Sequence, residues 1–171
     1  RIGQRVGALC RALGLRVAAF DPYMERSPVE GVEMVKDFRA ILPETDFLCL
    51  HLPSTPETRD LIGAGELALL KRGAFVLNCA RGGIVDEDVL CDALESGHLG
   101  GAGLDVFAKE PPDTAHRLFR QEKVLLSPHN AALTEECAIR MATQAVQNVL
   151  DCLDGKLQPR VVMNRREIGM A

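Results

Sequence analysis

Short apolar runs that alternate with helical stretches are the feature of this sequence that most restricts its fold. Continuous apolar runs are typical of strands buried on both faces, and helices between them imply parallel pairing through crossover connections. The sequence therefore predicts a doubly wound α/β fold built on a parallel sheet. The runs are RVAAFD (16–21), DFLCLH (46–51), AFVLNC (74–79), GAGLDV (101–106) and KVLLSP (123–128).

Helical patterns fill the segments between these runs. Gly14, Gly73 and Gly97 follow three of them, as expected of glycines that end a helix. The last helix carries an apolar stripe at helical spacing, which favours core packing and leaves a subunit or interdomain seam as the alternative. The predicted helices span residues 4–13, 36–42, 64–70, 87–96 and 134–153.

Composition and charge restrict the partners of the chain. Its 171 residues, 47% of them hydrophobic, are enough to bury one core. A net charge of −4 provides no basic surface for nucleic acid. No apolar run approaches the roughly 20 residues that a membrane span needs. The sequence therefore predicts a small-molecule ligand, with neither nucleic acid nor membrane as a partner.

The cysteines and histidines favour a reducing environment and no metal site. The six cysteines include no C-x-x-C pair, and neither they nor the four histidines have the spacing of metal ligands. Scattered thiols of this kind are typical of buried, reduced cysteines in a cytoplasmic protein.

The first residues resemble the second half of a dinucleotide-binding fingerprint. In a Rossmann-like fold, a glycine-rich turn presents the pyrophosphate to a helix N-terminus, and an acidic residue about 20 positions further on binds the ribose. Here Gly3 opens a helix and Asp21 ends the next strand. Asp21 would favour NAD over its 2′-phosphorylated form. A glycine before a helix and an aspartate after a strand are also common in proteins without a cofactor.

On this interpretation, the first strand of the sheet and its leading glycines are missing from the chain. In the strand order 3-2-1-4-5-6, strand one is central, which would leave RVAAFD and AFVLNC beside the gap. Each unsatisfied buried backbone group costs about 1–3 kcal/mol, against a typical domain stability of about 5–15 kcal/mol. Residues 1–171 are therefore expected to belong to a longer polypeptide, to fold poorly alone and to show no turnover alone.

Arg81, Glu110 and His129 each lie just past the end of a predicted strand, in the contexts NCARGG, FAKEPP and LSPHNAA. Ligands of open α/β sheets bind at the carboxyl ends of the strands, so a cation, a carboxylate and an imidazole are expected at one edge. Taken singly, each residue has an ordinary interpretation as a surface, turn or strand-exit residue. Their joint placement predicts an active site.

These three residues have the chemistry that oxidation of a 2-hydroxy acid requires. His129 can accept the hydroxyl proton and return it in the reverse direction. Glu110 would orient the imidazole and stabilise its charged form. Arg81 can bind a carboxylate through two hydrogen bonds. Asp86 and Glu87, by contrast, begin the next helix and are interpreted as capping acids.

From residue 1 to about residue 155, the sequence resembles the NAD-binding domain of the D-isomer-specific 2-hydroxyacid dehydrogenases. The resemblance rests on RIGQRV, FDPY, HLPSTPETRDLI, NCARGGIVDEDVL, GAGLDVFAKEPP and SPHNAA, which occur in the order of that family. The first strand and leading glycines of the family, and the N-terminal part of its substrate domain, are absent. Ser127 replaces the usual threonine of the family before Pro-His.

The resemblance implies a role for each matching residue. Arg81 would bind the substrate carboxylate, His129 would be the acid/base and Glu110 its partner. Asp105 would lie near the nicotinamide carboxamide, and the loop 129–132 would close over the ring. The implied NAD-binding residues are Arg1, Ile2, Gly3, Asp21, Leu52, Pro53, Thr58, Cys79, Ala80, Arg81, Asp105, His129 and Ala131. The resemblance also implies a homodimer.

Two further points follow from the resemblance. Residues 1–154 would form a dinucleotide-binding domain, and residues 155–171 would return toward an absent substrate domain. The leading function is an NAD-dependent D-2-hydroxyacid dehydrogenase, whose substrate, whether glyoxylate, hydroxypyruvate, phosphoglycerate or lactate, the sequence leaves open. The alternatives are an NAD(H)-sensing corepressor of the C-terminal-binding-protein type and an interaction domain with a vestigial site.

Overall fold

The computed structural model describes residues 2–165 and 167–169. The chain divides into two compact units, Arg1–His129 and Asn130–Ala171. The predicted domain boundary after residue 154 is a separate matter and stays a prediction.

The first unit alternates strands with helices. Its elements are α1 (Ile2–Ala12), β1 (Val17–Ala19), β2 (Val32–Met34), a 3-10 helix (Phe38–Glu44), β3 (Phe47–Leu50), α2 (Ala64–Leu69), β4 (Phe75–Asn78), α3 (Glu87–Glu95), β5 (Gly101–Leu104), a second 3-10 helix (Arg117–Arg120) and β6 (Val124–Leu126). The second unit contains α4 (Glu135–Leu153) and a short 3-10 helix (Pro159–Val161).

All strand pairs described are parallel, which confirms the predicted α/β class. Strands β1 and β2 form a two-stranded sheet, and β3, β4, β5 and β6 form a four-stranded sheet in that order. In the larger sheet, Leu77 of β4 lies opposite Cys49 of β3 and Gly103 of β5. The carboxyl ends of β4, β5 and β6 therefore lie side by side at one edge.

The prediction that AFVLNC borders a gap in the sheet is wrong. This segment forms β4, which is paired on both sides by β3 and β5. Within the described residues, β1, β2, β3 and β6 each pair with one strand only. In the strand order 3-2-1-4-5-6, the gap left by strand one therefore borders β1 and β3, and not β4. The sequence prediction missed β2, and this omission shifted the position of every later strand by one.

Helix α1 packs against both sheets. A Cβ placed on Gly7 would lie 3.6 Å from a methyl of Val32 in β2 and 3.8 Å from a methyl of Val17 in β1. A Cβ placed on Gly3 would lie 3.3 Å from the Cβ of His51, which directly follows β3. Small residues on this face let the helix approach the strands closely.

The hydrophobic core lies between the larger sheet and helices α2 and α3. Val76, Ile84, Leu90 and Cys91 are completely inaccessible to solvent. Burial of this kind contributes roughly 1.5–3 kcal/mol for each large aliphatic side chain. The core therefore holds rigid the strands whose ends carry the polar residues.

Local signals fixed the ends of several helices. Asp86 caps α3 by accepting hydrogen bonds from the amides of Asp88 and Val89, as predicted. Gly14 and Gly97 lie two residues beyond the ends of α1 and α3 with φ values of 85° and 68°, which confirms them as glycines that end helices. Gly73 also has a positive φ, 85°, but α2 already ends at Leu69, so the prediction of Gly73 as a helix stop is wrong.

Helix α4 differs from its prediction. None of its residues is buried, and Val146, Val149 and Leu153 expose 60, 60 and 79% of their surface. Core packing of its apolar stripe is therefore wrong for this chain, and the seam alternative stays a prediction. No helix in the described part of the chain combines the length and the hydropathy needed to cross a membrane.

The six cysteines are free thiols, but their predicted burial holds only in part. Cys91 is buried, and burial raises its pKa to about 11. Cys79 and Cys152 are exposed. Cys79 is exposed because it follows the last residue of β4, at the same edge as the candidate active site.

Candidate active site

The three predicted catalytic residues follow three adjacent strands. Arg81 comes after β4, Glu110 after β5 and His129 after β6. Because the strands are parallel, all three residues are carried by loops at the carboxyl edge of the sheet.

Glu110 and His129 are in direct contact. Oε2 of Glu110 lies 2.8 Å from Nδ1 of His129, and 38% and 48% of the respective side chains are exposed. A carboxylate can only accept, so Nδ1 donates the hydrogen bond, which leaves Nε2 to exchange a proton with a ligand. The imidazole hydrogen bond, followed by the backbone amide of Phe107, holds the pKa of the Glu110 carboxyl below its usual value.

The backbone conformation of His129 is unusual. Its φ is 52°, in the left-handed region that L-residues other than glycine rarely adopt, and its amide donates to the carbonyl of Ser127 over 3.1 Å. Such conformations cost free energy and concentrate at functional sites. This tight turn, three residues beyond the end of β6, places the imidazole beside Glu110.

Arg81 reaches the same sheet edge but does not join the pair. Its side chain is exposed, and its Nη1 donates to the carbonyl of Ala80 over 2.6 Å. Among the described residues, Arg81 forms no ion pair and no hydrogen bond with Glu110 or His129. Its guanidinium therefore remains a positive group that an anionic ligand can approach.

A buried asparagine, which was not among the predicted site residues, shapes the turn that presents Arg81. Asn78 is 2% exposed. Its Oδ1 accepts from the amide of Ala80 over 3.1 Å, and its Nδ2 donates to the carbonyl of Arg81 over 3.0 Å. An asparagine at the end of a strand and three residues before the arginine was the available signal, because asparagine side chains commonly bond to nearby backbone.

Asp105 is a buried carboxylate beside the candidate site. It directly follows β5 and is 3% exposed. The hydroxyl of Ser127, which directly follows β6, donates a hydrogen bond to its Oδ1. Since a buried charge is costly without hydrogen bonds, this contact stabilises Asp105 and links the ends of two strands.

The residues predicted to bind the cofactor phosphates lie at the start of α1. Ile2 is 69% exposed, Gly3 has no side chain, and the first turn of the helix contains no acidic residue. Arg1 lies outside the described residues. A helix N-terminus without nearby carboxylates is suited to a phosphate, because its amides and dipole attract negative charge.

Asp21, the residue predicted to bind the ribose, lies two residues beyond the end of β1. Its side chain is half-buried, and its Oδ1 accepts from the amide of Tyr23 over 2.9 Å. That contact holds the carboxylate in place, and carboxylate oxygens accept hydrogen bonds from paired hydroxyls. The donor and acceptor groups present at α1 and β1 therefore fit a dinucleotide.

The remaining predicted cofactor residues occupy loops. Thr58 closes a compact turn, since its hydroxyl donates to the carbonyl of Pro53 over 2.8 Å and accepts from the amide of Thr55. Leu52, which begins this loop, packs on the hydrophobic core. Ala131 belongs to the second compact unit, in the turn that precedes α4.

Cys79 and Ala80 separate β4 from Arg81. Ala80 is 8% exposed, whereas Cys79 is an exposed residue. Partial burial, followed by the charge of Asp105, raises the pKa of Cys79, so the thiol is held neutral. In the described part of the chain, no three His, Cys, Asp or Glu side chains are grouped so as to hold a metal ion.

Comparisons with known proteins agree on one family. Residues 1–131 match the model described as D-isomer specific 2-hydroxyacid dehydrogenase, NAD binding domain. The chain is 40% identical over 164 residues to D-3-phosphoglycerate dehydrogenase of Methanocaldococcus jannaschii, covering 95% of this chain and 31% of that protein. It is 40% identical over 167 residues to glyoxylate reductase of Aeropyrum pernix, covering 95% of this chain and 49% of that protein.

A solved structure shows the same architecture. The D-isomer specific 2-hydroxyacid dehydrogenase from Lactobacillus delbrueckii ssp. bulgaricus, in its NAD-complexed form, superimposes with a TM-score of 0.85 at 32% identity. The match covers 95% of this chain and 53% of that one. The chain thus spans about half of these proteins or less.

Proposed function

Because the chain belongs to the D-isomer-specific 2-hydroxyacid dehydrogenase family, through its NAD-binding domain, we propose that the protein is an NAD-dependent oxidoreductase. It interconverts a small D-2-hydroxy acid and the corresponding 2-oxo acid. The observation that carries the proposal is the 2.8 Å contact between Glu110 and His129 at the carboxyl edge of the sheet.

NAD is the cofactor that the described residues fit. The start of α1, with Ile2, Gly3 and the adjoining Arg1, would hold the phosphates, and Asp21 would accept from the ribose hydroxyls. The loop 52–58 would line the adenosine side. When bound, NAD supplies the group that accepts the hydride. The residues proposed to adjoin the nicotinamide are Cys79, Ala80, Arg81, Asp105, His129 and Ala131.

His129 moves the proton of the reaction. With Nδ1 committed to Glu110, Nε2 accepts the hydroxyl proton of the 2-hydroxy acid during oxidation and returns a proton to the carbonyl oxygen during reduction. Glu110 fixes the tautomer and stabilises the imidazolium that forms.

Arg81 binds the carboxylate of the substrate. Its guanidinium makes no ion pair with a described carboxylate, so its charge can meet an incoming anion. A planar guanidinium holds a carboxylate through two parallel hydrogen bonds, and this orients the carbon that loses the hydride. Arg81 thus binds the substrate carboxylate, His129 transfers the proton and Glu110 orients the imidazole.

The names of the relatives favour an enzyme over a corepressor. The matched proteins described above are named as dehydrogenases and a reductase. The homodimer and the cytoplasmic location stay predictions, which sedimentation of the purified protein and imaging of a tagged protein would test.

Turnover of D-2-hydroxy acids by the full-length protein tests the proposal. D-lactate, D-glycerate and 3-phospho-D-glycerate would each be offered with NAD, and formation of reduced cofactor would be followed by absorbance. L-lactate is the matched stereochemical control. We expect turnover of at least one D-acid and none of L-lactate. Absence of turnover with all D-acids and with glyoxylate and hydroxypyruvate in the reverse direction would contradict the proposal.

A further inference from the structure

The loop that carries Glu110 is anchored to a different element of the fold. Glu87 lies in the first turn of α3, and its Oε1 accepts from the backbone amide of Ala108 over 2.6 Å. The neighbouring amide, that of Phe107, donates to Oε1 of Glu110 over 3.1 Å. Two adjacent peptide groups are therefore held by two carboxylates, one in the candidate active site and one at the start of a helix.

Gly82 brings the turn after β4 into contact with the same loop. A Cβ at this position would lie 1.7 Å from the carbonyl oxygen of Phe107 and 2.7 Å from the amide nitrogen of Ala108. Both atoms belong to the backbone, so neither can rotate away as a side chain would. The absence of a side chain at Gly82 is thus a condition for the observed approach of the two segments.

One segment of chain therefore serves two members of the candidate site. Residues 81–87 begin with Arg81, include Gly82 and end with Glu87, which accepts a hydrogen bond from the loop that carries Glu110. Phe107 adds to the anchoring, since it is 7% exposed and its ring stacks on Phe119 with centroids 5.9 Å apart. The contacts of Gly82 and Glu87 with Phe107 and Ala108 therefore link the loop of Glu110 to the segment that carries Arg81.

We propose that Glu87 is a positioning residue, which acts through the amide of Ala108 to hold Glu110 within hydrogen-bond reach of His129. The proposal rests on the proposed function, because the pair matters to catalysis only if His129 transfers a proton. Glu87 also adds charge to the start of α3, but Asp88 in the same turn does this equally. The Asp88 carboxylate pairs with His116 at the far end of the loop over 3.5 Å, and not with a peptide group next to Glu110.

Kinetics of three single variants of the full-length protein test the role first. Glu87→Ala removes the acceptor, Glu87→Gln keeps an accepting oxygen, and Asp88→Ala removes a charge from the same helical turn. We expect Glu87→Ala to lower kcat by about tenfold or more, since small displacements of catalytic groups have effects of this order. The KM for NAD should stay within about twofold, Glu87→Gln should recover most of kcat, and Asp88→Ala should match the wild type.

Two further variants, Glu110→Gln and Glu87→Ala/Glu110→Gln, separate positioning from general stability. If Glu87 acts through Glu110, Glu87→Ala should have little further effect on kcat in a Glu110→Gln background, because the two losses are then not additive. Equal losses in both backgrounds, or an equal loss in Glu87→Gln, would overturn the proposal. Thermal melts show whether Glu87→Ala folds. If it does not, Glu87→Asp, whose shorter side chain draws the acceptor away from the Ala108 amide, replaces it in the kinetic and the amide measurements with the same expected and contradicting results.

A measurement that does not depend on turnover tests the anchoring by Glu87 separately from the proposed dehydrogenase function. Hydrogen exchange of the Ala108 amide, measured by NMR, should accelerate by about tenfold in Glu87→Ala and little in Glu87→Gln, since the bond that protects it is lost only in the former. Unchanged exchange would overturn the anchoring even in an active enzyme. If exchange is faster in Glu87→Ala but the full-length protein has no dehydrogenase activity, the anchoring is supported and only its role in catalysis is contradicted.

Discussion

Oε2 of Glu110 lies 2.8 Å from Nδ1 of His129, although 19 residues separate the two along the chain. The loops after two neighbouring strands, β5 and β6, bring them together. The contact defines which imidazole nitrogen faces away from the carboxylate and can exchange a proton with a ligand.

Replacing Glu110 with glutamine should impair catalysis much more than folding. The amide preserves size but lacks the charge that stabilises the imidazolium, and it can donate as well as accept, so the tautomer of His129 is no longer imposed. We expect kcat/KM to fall by about 100-fold, as measured by steady-state kinetics of the full-length protein. Glu122→Gln, at an exposed position outside the site, is the matched control. Equal activity of the two variants would contradict the role of Glu110.

Stability in acid should report the same contact. The pKa of Glu110 is lowered by the His129 hydrogen bond and then by the Phe107 amide, from a usual value of 4.5. A group whose pKa is lower in the folded than in the unfolded protein stabilises the folded state. This stabilisation is complete at a pH above the pKa of the unfolded state, and it is lost as the pH falls through the pKa of the folded state. The difference in Tm between wild type and Glu110→Gln should therefore be constant above about pH 5 and shrink below pH 4.5. Thermal melts from pH 7 to pH 3 measure it, and a difference independent of pH would argue against the effect.

Ser127 should stabilise the buried carboxylate of Asp105. Ser127→Ala removes a hydroxyl that donates to this carboxylate, which is 3% exposed. We expect the free energy of unfolding to fall by about 1–3 kcal/mol, as measured by urea denaturation. Ser127→Thr keeps the hydroxyl and should stay close to the wild type. A larger loss in the threonine variant than in the alanine variant would show that packing, not the hydrogen bond, matters here.

Asp21 should control the choice between NAD and its 2′-phosphorylated form. Its carboxylate follows β1 and is held by the Tyr23 amide. Removing the charge in Asp21→Ala should weaken NAD binding and reduce the discrimination against NADP by about tenfold, as measured by titration calorimetry with each cofactor. Glu25→Ala removes an acid from the same loop and should leave both affinities unchanged. An unaltered preference in Asp21→Ala would exclude Asp21 from the ribose site.

The sequence was sufficient where the signal was local. Buried strands such as β4 are continuous apolar runs, and Asp86 caps α3 through amides only two and three residues away. Strand β2 was missed because Glu33 interrupts its short apolar run, and the position of the gap was wrong for the same reason. The segment predicted as a helix at 36–42 is a 3-10 helix, Phe38–Glu44, which contains Pro43.

Contacts between distant residues could not be predicted in the same way. The sequence indicated that Glu110 and His129 follow strands, but the distance between them depends on loop conformation. Glu87 was interpreted as a helix-starting acid, and its bond to the Ala108 amide, 21 residues away, has no signature in the local sequence. The anchoring at Gly82 likewise depends on where the backbone of Phe107 passes.

The most direct test of the account is to measure turnover and NAD affinity together in the full-length His129→Asn protein. Loss of the proton carrier should lower kcat by about 10²–10⁴-fold and leave the Kd for NAD within a few-fold of the wild-type value. Retention of wild-type kcat would contradict the assignment of His129 as the group that transfers the proton.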